Sequence, residues 1–510
     1  MRLNRKKDRL PGIIISIIFF VAVVAFMVLL LYTNLVPVKY IGIVFLALLI
    51  VLLLIRILTL KIRKTVPFVV GSILAVVVVI VMGGASVYIY KTIASLDKIT
   101  GVNKEITEVN VYVLQNDPAE KLADASSYSF GILSELDREN TDAALNQIYT
   151  KIGSELDTKE YASLTELADG LTKGDCQAIL LNGAYLDVLD QMDNYTSFSS
   201  QVRQIASEQI EKLVERKSPS ATVSPEENTA SSSDTTQQDE AVTDEVYTVF
   251  ISGIDTRGGM TASSLSDVNI LLTINTRTKQ VLMVSTPRDY YVPLSISNGV
   301  PDKLTHAGIY GVNVCMDTLE MLYGIDINYY FRLNFGGFIK IIDELGGITI
   351  NSDYDFDSQN VAGYHFNKGE NTVNGEQALA FCRERYSFSE GDRQRGRNQM
   401  AVIQGVVDKI TSPELLKNYL SVIDSLDGCF ETNIPYDVIS GLVRQQLDEG
   451  GSWQVLSYSV DGTGDTQKPY SMSQKAYVMV PDQSTVDKAK TLMQKVREGV
   501  MLSEADLAAS

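Results

Sequence analysis

Arginine is densest in this chain where the overall charge would least predict it. Arg383, Arg385, Arg393, Arg395 and Arg397 fall within fifteen positions of a protein whose formal net charge is −18. They stand in Arg383-Glu384-Arg385 and in Asp392-Arg393-Gln394-Arg395-Gly396-Arg397-Asn398-Gln399. A planar guanidinium matches phosphate oxygens in pairs, so a set of them suits a polyanion. The competing reading is an ordinary solvated basic face, and helix geometry separates the two. In a helix from about Asp392 to Ile410, Arg395 lies roughly 60° and Gln399 roughly 20° from Asp392. Val402, Ile403, Val406, Val407 and Ile410 occupy that same side. A polar trio that continues an apolar stripe is costly unless it has partners. Arg393 and Arg397 fall off the stripe.

If Phe381–Arg385 is extended, Arg383 and Arg385 point to one side and Glu384 to the other. The two form a forked anion cradle, and the positive end of the following helix adds to the attraction. Arg288, where the strand Gln280–Ser285 runs into Pro287-Arg288-Asp289, is a further candidate. Counter-charge is available from Asp255, which ends one strand, and Asp267, which precedes the next. Carboxylates beside a phosphate site commonly hold Mg²⁺. The alternative for each is a turn or cap aspartate.

The elements that must position these residues are two α/β domains behind three transmembrane helices. Pro11–Tyr32, Tyr40–Ile55 (extendable to Leu58) and Val66–Tyr90 are apolar runs of about the length needed to cross a bilayer. Basic residues crowd before the first run and between the second and third, whereas Thr33–Lys39 carries only Lys39. The positive-inside rule therefore puts the N-terminus in the cytoplasm and everything after Tyr90 outside. The expected division is a membrane region to residue 95, an accessory α/β domain over 96–217, a linker over 218–245, a second α/β domain over 246–499, and a tail over 500–510. The accessory domain shows strands at Val109–Leu114, Ser127–Leu133 and Ala178–Leu181. Its helices are expected at Thr141–Ile152, Tyr161–Leu171 and from Ala184. The linker lacks aromatics and apolar periodicity, so it cannot bury enough surface to order itself. In the second domain, Tyr247–Ile254, Val268–Ile274 and Gln280–Ser285 read as strands, Val312–Tyr323 and Phe338–Leu345 as helices.

Acidity, with a sequence pI near 4.7, argues against a nucleic-acid partner. Cys176, Cys315, Cys382 and Cys429 form no CxxC pair, so neither a zinc nor a redox motif is supported. His306 and His365, the only histidines, are read as structural.

Six stretches in one order connect this domain to a known family. They are GIDTRGG, the SDVN at Ser266–Asn269, TPRD at Thr286–Asp289, KLTHAGIYG at Lys303–Gly311, INYYFRLNFGGF at Ile327–Phe338, and RERYSFSEGDRQRGRNQ at Arg383–Gln399. Over about Val246 to Gly499 the chain resembles the LytR–CpsA–Psr (LCP) family, and most closely its capsule-type members. The resemblance implies an LCP-type α/β domain with a mixed central sheet flanked by helices. It implies a transferase that moves a glycopolymer (capsular polysaccharide or teichoic-acid-like) from an undecaprenyl-pyrophosphate carrier to peptidoglycan, with capsule-assembly proteins as further partners. Arg288, Arg383, Arg385 and Arg395 would bind the pyrophosphate with Gln399 assisting, Asp392 would orient the arginines, and Asp255 and Asp267 would hold Mg²⁺ or Mn²⁺. Phe331, Leu333, Phe335 and Phe338 would line a tunnel for the lipid tail, against a plain core reading. Related capsule-type members carry an arginine where this chain has Leu265, and Arg257 is the expected substitute. A polyprenyl-pyrophosphate phosphatase and a non-catalytic carrier-binding, assembly or regulatory protein are the alternatives.

Overall fold

The computed structural model describes residues 10–33, 36–61, 65–100, 104–213, 246–254, 264–412, 426 and 428–508. Three helices open it, Leu10–Tyr32, Val38–Arg56 and Thr65–Thr100. Each includes a span long and apolar enough to cross a membrane. Residues 218–245, read as a linker, lie outside the described residues, as do Asp255 and Arg257.

The smaller α/β domain is one five-stranded sheet. Its strand order is Asp157–Tyr161, Ser129–Leu133, Ala178–Asn182, Lys104–Leu114, Val202–Leu213. The first three are mutually parallel and the last two join antiparallel. The segment expected as one helix from Tyr161 to Leu171 divides into a strand to Tyr161 and a helix over Leu164–Thr172. Ser163 causes the break: its extended backbone caps the helix, and its side chain accepts from Glu166 N.

The larger domain is built on a six-stranded mixed sheet, ordered Phe430–Thr432, Tyr329–Asn334, Val246–Ile254, Ser266–Asn275, Gln280–Ser285, Gln454–Ser459. The pairings on either side of the three central antiparallel strands are parallel, Tyr329–Asn334 with Val246–Ile254 and Gln280–Ser285 with Gln454–Ser459, and the edge strand Phe430–Thr432 joins antiparallel. Alternation along each strand divides the sheet into two faces. Phe250, Leu271, Leu282, Val284 and Tyr330 face a solid core closed by helices Val312–Tyr323 and Gln483–Arg497. Val249, Ile251, Leu272, Phe331 and Leu333 face the other way, under helices Asp392–Ile410 and Tyr436–Glu449, and there the layer is hollow. Residues 500–508 are packed onto this domain. Leu502 is buried, its N–H donates to Gln280, and Gln454 donates to its carbonyl.

Candidate functional site

The hollow is a cavity of about 830 Å³ with almost entirely apolar walls. Phe331, Leu333, Phe335 and Phe338 all line it. So does one side of helix Asp392–Ile410, namely Arg395, Gln399, Val402, Ile403, Val406, Val407 and Ile410. The apolar stripe and the polar residues that continue it share one face, as the helical period requires. Arg288, Arg383 and Arg385 complete a polar end with Asp267. A second, polar pocket of about 130 Å³ shares Asp267, Arg288, Arg395 and Gln399 with the first and adds Asp392, Ser459 and Asp461. Apolar and polar spaces therefore meet at four common residues.

Sheet pairing brings the first two of these together. Strands Ser266–Asn275 and Gln280–Ser285 are antiparallel with Ile270 opposite Ser285, and Thr286 N continues the ladder to Asn269 O at 2.9 Å. Arg288 thus arrives beside Asp267, donating from Nη1 to Oδ1 at 2.9 Å. Burial would lower the Arg288 pKa, but Asp267 and Asp289 overcome it and raise the value. Helix Asp392–Ile410 reaches the same strand end because Gly396 has no side chain; a Cβ there would stand 3.1 Å from Ser285 Oγ. Arg395 is ion-paired with Asp392 and only 12% exposed. Burial lowers its pKa, Asp392 resists, and the nearby Arg288 and Arg385 deepen the fall. Guanidiniums crowded and desolvated in this way favour an anion among them.

Arg383 and Arg385 also line the cavity, but not for the reason the strand reading supposes. Phe381 to Arg383 end a helix, Gly375–Arg383, and the chain turns extended only at Glu384. Glu384 is fully buried. Its Oε2 accepts from Ser358 Oγ at 3.0 Å, Gln359 N at 2.6 Å and Asn360 N at 3.0 Å. Its Oε1 accepts from the N–H groups of Arg385, Tyr386 and Ser387 at 3.0, 2.8 and 3.1 Å. Burial would raise this carboxyl, yet the donors hold it below its usual range. Glu384 anchors the loop, and the arginines on either side are left to face the cavity. Arg383 stacks 4.4 Å over the Phe335 ring. Arg385 stacks on Tyr386 and donates to its hydroxyl at 2.6 Å.

Two buried amides went unnoticed in the sequence. Gln394 Nε2 donates to Asp353 at 2.9 Å and to Asn398 Oδ1 at 2.9 Å, and Asn398 Nδ2 donates to Phe381 O at 3.1 Å. They lie on a face the helical wheel leaves without an apolar stripe, so periodicity could not flag them. The off-stripe arginines also line the polar pocket, but both are engaged by protein partners. Arg393 reaches Asp461 Oδ1 and Gly462 O, both at 2.7 Å. Arg397 pairs with Glu390 and donates to Gln394 Oε1 at 2.7 Å.

Leu265, in place of the expected arginine, is buried in the apolar cluster of the smaller domain. All four cysteines are buried and none is in a disulfide. His306 is buried with Nδ1 2.7 Å from Asp302 Oδ1 and 2.7 Å from Ser471 Oγ, while His365 lies exposed beside Asp357. Neither histidine lines the cavity or the polar pocket.

For a divalent cation, Asp267 presents a carboxylate to both spaces, with Oδ1 engaged by Arg288 and Thr305. Ile254, the last described residue before Asp255, pairs with Ser266. No cluster of three metal-ligating side chains occurs among the described residues. Mg²⁺ needs only one or two carboxylates when phosphates and water complete its shell, and Asp267 is one such carboxylate among the described residues.

The chain is similar to polyisoprenyl-teichoic acid–peptidoglycan teichoic acid transferase TagU of Enterococcus faecalis, at 33% identity over 225 residues, 44% of this chain and 72% of that protein. Its similarity to TagU of Bacillus subtilis is 32% over 219 residues, 43% and 69% of the two chains. Among solved structures, that of B. subtilis TagV matches with 26% identity and a TM-score of 0.43, covering 50% of this chain and 98% of the other. The family model matches residues 199–495, from the last strand of the smaller domain to the penultimate helix of the larger, and the chain belongs to the LytR_cpsA_psr family.

Proposed function

We propose that this protein transfers a glycopolymer, capsular or teichoic-acid-like, from an undecaprenyl-pyrophosphate carrier to peptidoglycan at the outer face of the cell membrane. The observation that carries the reading is a single cavity with two chemistries, apolar along its length and ringed by Arg288, Arg383, Arg385 and Arg395 at one end. Such a cavity is complementary to a polyprenyl pyrophosphate, an apolar chain ending in a polyanion. The relatives are named as transferases of polyisoprenyl-linked teichoic acid, which supports the same donor class.

Placement against the membrane also supports it. Helix Tyr436–Glu449 walls the cavity, and its Tyr436 hydroxyl donates to Thr33 O at 3.0 Å. Lys39 pairs with Asp448 at 3.1 Å on the same helix. Thr33 follows the first membrane helix and Lys39 stands in the first turn of the second, which supports a reading in which that end of the helix pair and the larger domain share one side. The basic residues at the N-terminus support reading that side as the outer one.

In the reaction, a peptidoglycan sugar hydroxyl attacks the phosphorus bearing the glycopolymer. The bond from that phosphorus to the bridging oxygen breaks, undecaprenyl phosphate leaves, and the proton of the attacking hydroxyl passes to the leaving phosphate or to water. Arg288, Arg395 and Gln399 hold the pyrophosphate where the two spaces meet. Arg383 and Arg385 neutralise charge from the facing loop, and Asp392 keeps Arg395 in place. Such positioned charge is the main source of acceleration in phosphoryl transfer. Asp267, with Asp255, would hold Mg²⁺ or Mn²⁺, which when bound neutralises further phosphate charge.

The test uses full-length protein in nanodiscs with a synthetic polyprenyl-pyrophosphate oligosaccharide and peptidoglycan. Expected products are polymer-bearing peptidoglycan and polyprenyl monophosphate. Phosphorylated oligosaccharide released to water would make it a phosphatase instead, and binding without turnover would make it a receptor.

A further inference from the structure

The smaller α/β domain has no cluster of metal-ligating side chains among its described residues, yet it grips the larger domain at several segments, one of which leads to the polar end of the cavity. We propose that this domain positions Asp267 and Arg288 through the short 3₁₀-helical turn segment Leu304–Tyr310, a role that rests on reading those two residues as part of the phosphate site. At one end of the turn, Tyr185 OH donates to Tyr310 OH at 2.9 Å and Asn182 Nδ2 donates to Ile309 O at 3.0 Å. Ile309 is itself buried in the smaller domain's apolar cluster, together with Leu265. At the other end, Thr305 N donates to Arg288 O at 2.8 Å and Thr305 Oγ1 donates to Asp267 Oδ1 at 3.4 Å. One threonine therefore touches both residues of the pair.

The turn between these ends has little freedom. A Cβ on Gly308 would stand 2.2 Å from Ser264 O and 2.8 Å from Ser266 N, so the turn lies flush on the segment leading into Asp267. On its inner side His306 is locked against Asp302 and Ser471. Just beyond the turn, Glu105 of the smaller domain accepts from Val312 N at 2.6 Å and pairs with Arg332 at 3.3 Å. Leu265, two residues before Asp267, is thereby a docking side chain for the smaller domain rather than a lost site residue. Groups that contact a charged ligand are only as well placed as the shell behind them, and small displacements are expensive.

The test is a double-mutant cycle on full-length protein in nanodiscs, read by binding of geranylgeranyl pyrophosphate and, separately, by polymer transfer. Tyr185→Phe removes the inter-domain hydroxyl bond, and Thr305→Val removes the contact to Asp267. Each should weaken binding about fivefold, the size of one lost hydrogen bond. Because both act through one turn, the double variant should be no worse than about the poorer single one. Thr305→Ser, which keeps the hydroxyl, should bind as wild type does. Thr165→Val breaks a 2.7 Å hydroxyl contact to Ser473 that joins the same domains away from the turn, and it should change binding less than twofold. Additive losses in the cycle, or a Thr165→Val loss equal to that of Tyr185→Phe, overturn the proposal. A wild type that binds but transfers nothing would sink the transferase reading alone, since the cycle is still decided on binding.

Discussion

Asn398 donates from Nδ2 to the carbonyl of Phe381 at 3.1 Å, and this one bond ties the helix that carries Arg395 to the helix that ends in Arg383. Arg383 and Arg395 are twelve residues apart in sequence, and no strand joins the two helices. Both groups are buried, so the bond has no water to replace it. Asn398→Ala should cost about 1–3 kcal/mol of stability and lower transfer even where the protein stays folded. Thermal denaturation and a transfer assay on the same preparation check this. Unchanged melting with unchanged activity would mean the two helices are aligned by apolar packing alone.

Arg395 and Arg397 are two residues apart and should behave differently. Arg395 faces the cavity from a largely buried position, whereas Arg397 is held by Glu390 and Gln394. Arg395→Ala should weaken polyprenyl-pyrophosphate binding by about ten- to a hundredfold, the range for a charged hydrogen bond. Arg397 lines the polar pocket too, but its guanidinium is already engaged by Glu390 and Gln394, so Arg397→Ala should alter binding less than threefold. Isothermal titration of folded variants decides; equal losses would remove the distinction between the two helix faces.

The cation expectation is tested by removal. With chelator the full-length protein should lose transfer and regain it with Mg²⁺ or Mn²⁺, while its circular dichroism stays constant. Asp267→Ala should lose transfer yet still bind lipid pyrophosphate through Arg383, Arg385 and Arg395. Full-rate transfer under chelator would leave Asp267 as a partner of Arg288 only.

One buried carboxylate gives stability a pH dependence of unusual sign. Burial pushes Asp137 up to about 6, against the pull of the donors Asn182 and Asn140. The folded protein keeps this proton to about pH 6, and the unfolded chain releases it near 3.8. Between these values the folded state binds more protons, so this contribution to stability is full below about pH 4 and is lost as pH rises through 6. The change is about 3 kcal/mol, from a shift of roughly two units. Melting temperatures measured from pH 4 to pH 7 should fall more for wild type than for Asp137→Asn. A parallel fall in both would assign the slope to other groups, Glu105 first, whose carboxyl burial also raises.

Topology is checked by fusion. A reporter active only outside the cytoplasm should be active after Lys98 and silent at Lys61. The opposite pattern would place the cavity on the wrong side for an outward-facing carrier.

Local patterns were enough for a definite part of this protein. Three apolar helices follow from run length, and the helix Asp392–Ile410 follows from a 3.6-residue stripe that Arg395 and Gln399 extend. The short strands of the sheet follow from apolar runs between turn residues. What lay beyond reach depends on partners distant in sequence. The strand Val202–Leu213 alternates weakly and is held by eleven paired residues on Lys104–Leu114, a hundred positions away. Glu384 looked like a residue turned away from the site, but six donors from two loops make it the post around which Arg383 and Arg385 are hung. Leu265 looked like a missing arginine, but a second domain buries it. A side chain's type states what it can bond to, and periodicity states which side of its own element it occupies. Which groups meet it there is settled only when the chain closes on itself, because the free energy of a buried contact belongs to both partners.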